Sequence, residues 1–179
     1  MRTQFFVSLL IVSSLIGCSN DDDNNNDSFT LAGVQEVVFE TPSIEVGQET
    51  VLAVSFSFNE QDIFTGEDSV FVAVKLPKEL SYHNGSAEID GAFNDDNKVI
   101  PQILRCNDGQ NILVFDLDSN DLENAAPPNL ISDALLTLTV KGILPAQATA
   151  VDARADDSEG SVFCNSTFIP QEVAFISIQ

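Results

Sequence analysis

The sequence predicts an all-β fold, a single antiparallel β-sandwich of two packed sheets, and three observations carry that reading. Apolar and polar residues alternate with period two through most of the chain after residue 33, the side-chain period of a strand. Clusters of Asn, Asp, Gly and Ser break the alternation at short intervals, as turns do. Only residues 118–126 could hold a helical turn, and Pro127-Pro128 would end it.

Taken in order, residues 34–39 open the β region. Residues 50–58 are the clearest strand, with Leu52, Val54, Phe56 and Phe58 on one face and Ser55, Ser57 and Asn59 on the other. Residues 70–76 are apolar almost throughout until Lys75, as in a central strand covered on both faces. Residues 99–104 and 112–117 follow, separated by Asn107-Asp108-Gly109-Gln110 with its Asp-Gly turn signal. Residues 135–140 alternate leucine and valine with threonine, 147–153 form a weaker strand, and 160–168 and 173–178 complete the set. Further turns are expected at 59–62, at Asn84-Gly85, at 94–97 and at 156–160. Roughly eight to ten short strands with little helix describe a sandwich. Thirteen phenylalanines and no tryptophan imply a core of Phe, Val and Leu.

Residues 1–30 do not belong to that pattern. Arg2 is followed by an apolar run over 5–16, interrupted only by serines, and by the small residue Gly17. This is the layout of an export signal. The run is about 12 residues, short of the ~20 a spanning helix needs. Leu15-Ile16-Gly17-Cys18 resembles the lipobox of bacterial lipoproteins, in which the cysteine is lipidated and becomes the first mature residue. The resemblance implies removal of residues 1–17, a lipid on Cys18, and anchoring in a Gram-negative envelope. Ser19 after the cysteine favours the outer membrane. Asn20-Asp21-Asp22-Asp23 is similar to the acidic surface-export signal of Bacteroidetes lipoproteins, so the domain is expected to face either the cell surface or the periplasm. Residues 18–30 are then the lipidated cysteine and a polar tether, too poor in apolar residues to repay the entropy of folding. Extended, it would reach roughly 35–40 Å. Residues 31–179 are long enough for one domain with a real core.

The chain carries 28 acidic and 7 basic residues, a formal charge of −21. That balance argues against nucleic acid, whose phosphates require clustered Lys and Arg, and against electrostatic attraction to anionic lipid. With Cys18 taken by lipid, Cys106 and Cys164 remain. In an oxidising compartment they are expected to pair, closing a loop worth ~4 kcal/mol by chain entropy. Two buried free thiols are the alternative. The C-x-x-C spacing of a redox pair is missing, and a single histidine argues against a zinc site.

Residues 74–87, from Val74-Lys75-Leu76-Pro77 through Leu80-Ser81-Tyr82 to Gly85-Ser86-Ala87, are similar to a segment of the Ig-like conserved-repeat domains of bacterial surface proteins. In those domains a strand ends at "LP", the chain bends, and "L-x-Y…GSA" begins the next strand. The resemblance implies an Ig-like sandwich, with residues 111–117 and 134–141 as the next two strands. Pro77 removes a ladder donor and ends its strand, and Asn84-Gly85 supplies a positive φ.

Little in the sequence points to catalysis. His83 is the only histidine, and the chain has no G-x-S-x-G elbow, H-E-x-x-H or P-loop. Asp116-Leu117-Asp118-Ser119-Asn120-Asp121 begins like an EF-hand loop but has Asp121 where the glycine belongs and Pro127 where the final Glu belongs. Asp116, Asp118, Asn120, Asp121 and Glu123 could still gather weakly around a structural calcium; the alternative is a solvated strand exit. Asp95-Asp96 facing Asp156-Asp157 and Glu159 is a second such grouping. No other cofactor is expected. The expected role is non-enzymatic: adhesion, or assembly with another envelope or extracellular protein. A carboxylate-based hydrolase, a glycan-binding module and a calcium-stabilised surface spacer are the alternatives.

Overall fold

In the computed structural model, residues 32–59, 69–91, 98–117, 131–156, 164 and 168–179 are described. Eleven strands are present among them: β1 (Ala32–Phe39), β2 (Ser43–Ile44), β3 (Glu49–Asn59), β4 (Val70–Leu76), β5 (Leu80–Tyr82), β6 (Glu88–Asp90), β7 (Gln102–Arg105), β8 (Asn111–Leu117), β9 (Ile131–Gly142), β10 (Ala146–Asp156) and β11 (Glu172–Ile178). One sheet has the order β1-β3-β9-β5, with β6 also on β9. The other has the order β2-β11-β10-β4-β8-β7. Together they make an Ig-like β-sandwich.

The alternation in the sequence chooses the inner faces. In β3, Leu52, Val54, Phe56 and Phe58 are buried while their neighbours are half-exposed. Opposite them on β9, Leu138, Leu136 and Ala134 stand in register with Leu52, Val54 and Phe56, so the small Ala134 faces the large Phe56. From the other sheet, the inner residues of β4, β8, β10 and β11 complete the same cluster. Each buried large side chain contributes about 1.5–3 kcal/mol of transfer free energy.

Several sequence expectations are corrected. The strand read at 99–104 begins at Gln102, because Pro101 before it cannot donate to a ladder. Asp156, read as the first residue of a turn, is the last residue of β10. The weak strand at 147–153 is an eleven-residue strand paired on both sides; the sheet supplies the stability its local sequence lacks. Of the strand read at 160–168, Cys164 lies at a bend and Phe168 outside any strand; its other residues lie outside the described ones. The sandwich is also not purely antiparallel, since β2 runs parallel to β11. The chain leaves β1 after Phe39, and β2 then pairs with the C-terminal end of β11, where Ser177 N–H also donates to Pro42 O.

The 74–87 segment turns the corner between the sheets. β4 ends at Leu76, a turn with Leu80 N–H donating to Pro77 O follows, and β5 starts on β9 of the opposite sheet. Gly85 has φ +77°, a conformation that suits glycine. At this bulge between β5 and β6, Ser86 Oγ accepts from Thr139 N–H at 2.9 Å and donates to His83 O at 2.6 Å. A side-chain hydroxyl thereby stands in for the missing strand backbone.

Candidate functional site

Sheet alternation leaves a second apolar face on β4 and β8. Ala73, Ile112 and Val114 point away from the main core yet are buried, because Phe168 lies over them. Phe71, Leu104 and Cys106 pack at the margin. The cover comes from the connection between β10 and β11, and the Cys106–Cys164 disulfide, with Cα atoms 5.3 Å apart, ties that connection to the β7–β8 hairpin. Lys75 Nζ sits 5.7 Å from the centre of the Phe168 ring, a cation–π distance. The disulfide therefore holds a small satellite core in place. Cys106 itself starts the hairpin turn: its N–H donates to Gln110 O, Gly109 N–H donates back to Cys106 O, and Gly109 has φ +84°. This is a three-residue loop with glycine at the left-handed position.

Of the residues singled out for metal binding, Asp116 is exposed on the outer face of β8, opposite Phe71 of β4. Asp118, Asn120, Asp121 and Glu123 lie outside the described residues, as do Cys18 with its tether and Asp95, Asp96, Asp157 and Glu159. Asp156 is buried and salt-bridged to Arg154, whose Nη1 also donates to Ile169 O. Among the described residues, no three His, Cys, Asp or Glu side chains gather as a metal site.

His83 Nδ1 lies 3.1 Å from Glu49 Oε1, with the two side chains 54% and 44% exposed. Ser86 is close by, but its hydroxyl is bonded to the His83 carbonyl and Thr139. Ser86 N–H and Oγ both donate to the His83 carbonyl and close the turn, while Glu49 of β3 lies against the ring.

Sequence reasoning missed Gln171. Its Oε1 accepts from Val34 N–H of β1 and Ala155 N–H of β10, and its Nε2 donates to Ala155 O. One amide thus links β1, the edge strand of one sheet, to β10 of the other. A glutamine just before a strand carries no local signal for this.

The two ends of the sandwich differ. The chain enters β1 at the end shared by Phe58, Ile131 and Leu117. The opposite end is built from the β2–β3, β4–β5 and β9–β10 turns, cross-linked by Gly47 N–H to Gly142 O and Ile143 N–H to Glu79 O. There Val46, Ile143 and Leu144 are 48%, 44% and 47% exposed.

The chain matches no protein-family model and no curated protein. Solved structures do resemble it. The major pilin SpaA of Corynebacterium diphtheriae aligns with a TM-score of 0.51 at 15% identity, over 70% of this chain and 32% of the pilin. The group B streptococcus pilus 2b backbone protein aligns at 0.46 and 10% identity, over 80% of this chain and 57% of that one; at that score it adds no argument. The chain spans about a third of the corynebacterial pilin, and at such identity the likeness is one of fold.

Proposed function

We propose that this protein is a lipid-anchored envelope protein with a non-enzymatic binding or structural role. Cys18 carries the lipid, residues 19–30 form the spacer, and the sandwich presents its far end to another envelope or extracellular macromolecule. The observation that supports this most directly is the polarity of the domain. The chain enters at one end, while Val46, Ile143 and Leu144 stand half-exposed on cross-linked turns at the other. Turns fixed on a rigid sandwich are where such folds recruit partners.

The corynebacterial pilin is associated with modular pilus assembly and stabilizing isopeptide bonds. A comparable assembly role suits this chain. Its covalent tie is the Cys106–Cys164 disulfide, and among the described residues no lysine is buried.

Expression of the full chain in a Gram-negative host with radiolabelled palmitate tests the reading. Label in the membrane fraction, lost together with membrane retention in Cys18→Ala, is expected. Protease shaving of intact cells then distinguishes surface from periplasm. An unlabelled, soluble wild-type protein would refute the anchor.

A further inference from the structure

The outer face of the second sheet carries an open trough beside the satellite core. One part, about 330 Å³, runs from Lys75 past Pro77 to Ala150. The other, about 260 Å³, runs from Lys75 and Asp108 to Phe168 and the disulfide. Lys75 and Asp108 line both, so the two adjoin. Together they reach the size of small-ligand sites, ~300–1,000 Å³.

The chemistry of the lining is mixed. Lys75 and Lys78 face Glu79, Asp108 and Asp152, and among the described residues neither lysine makes an ion pair. Gln110 also lines it, with its Oε1 shielded from solvent and without a hydrogen-bond partner among the described residues. Ala150 gives apolar surface along one stretch, and the largely buried Phe168 ring gives only its margin along the other. Phe175, 60% exposed, stands directly beside Ala150 on β11.

This lining selects among ligand classes. An anion meets three carboxylates. A metal ion meets two ammonium groups and, among the described residues, no cluster of three ligating side chains. An extended peptide would need a free strand edge, whereas β4 and β10 are each paired on both sides. A neutral polyhydroxylated ligand meets none of these obstacles. Its hydroxyls both donate and accept, satisfying ammonium and carboxylate together, and its C–H faces meet Ala150 and the neighbouring exposed Phe175. We infer that this trough is a binding site for a neutral saccharide, walled on one side by the disulfide-held Phe168. The inference does not depend on membrane attachment.

Titration of the ¹⁵N-labelled mature domain with neutral trisaccharides of glucose and of N-acetylglucosamine tests it. Shifts in amide resonances should concentrate on Lys75, Gln110, Ala150 and Asp152. Lys75→Ala and the isosteric Asp152→Asn should each weaken binding by about tenfold, the effect of losing one hydrogen bond to a charged group. Lys78→Ala, at an exposed corner, gives a further variant with little risk to folding. No shifts with any trisaccharide, or affinity unchanged in all three variants, would overturn the proposal. So would shifts produced only by a charged peptide.

Discussion

Gln171 shows how much one side chain can decide. Its amide makes three bonds at 2.8–3.0 Å that join Val34 of one sheet to Ala155 of the other. The strand ladders cannot make this connection, because β1 and β10 belong to different sheets. Truncation leaves the Val34 and Ala155 amides without these acceptors. With each such bond worth about 1 kcal/mol net and more where a buried group is orphaned, Gln171→Ala should destabilise the domain by about 2–3 kcal/mol. Urea denaturation measures this; an unchanged midpoint would mean that the link contributes nothing. None of this was legible in the sequence, since Gln171 lies outside any periodic pattern. Gly85 and Gly109 were legible, because their turns are local and a positive φ selects glycine whatever the rest of the fold does.

At the scale of elements, the two apolar faces of β4 and β8 have separate covers. The inner faces lie in the main core, whereas Ala73, Ile112 and Val114 depend on Phe168 and thus on the disulfide. Removing the bond in Cys106→Ser with Cys164→Ser should cost up to ~4 kcal/mol, the chain-entropy value for a separation of 58 residues. The loss should fall unevenly. Amide exchange should accelerate at Ala73 and Ile112 well before Val54 or Leu138, while the far-ultraviolet sheet signal persists. Equal acceleration at all four sites would show that the bond staples the whole sandwich. The sequence displayed the apolar run of β4 up to Lys75, which is why a central position was expected. It did not display the source of the outer cover, because Phe168 reaches that face only through the β10–β11 connection.

For the molecule as a whole, the calcium-stabilised spacer remains a distinct proposal. Asp116 is the one member of its ligand set among the described residues, exposed on β8 at the end where the chain enters. If Asp116, Asp118, Asn120, Asp121 and Glu123 hold the ion, calcium at a hundredfold excess over its Kd adds about 2.7 kcal/mol of stability. Thermal melting of the domain with calcium and with chelator would then differ by several degrees. Coincident midpoints remove the site and leave the spacer reading without its ion.

The sequence by itself determined where the main strands lie and which of their faces turn inward. Period-two alternation is a property of each strand alone, and Pro77, Asn84-Gly85 and Asp108-Gly109 mark boundaries through local backbone geometry. The excess of acid was also legible as composition. Only the tertiary structure decided the strand order, the assignment of β2 and β5 to opposite sheets, the Gln171 link, the satellite core and the trough beside it. Those features depend on residues far apart in the chain meeting in space, and no local pattern encodes such a meeting.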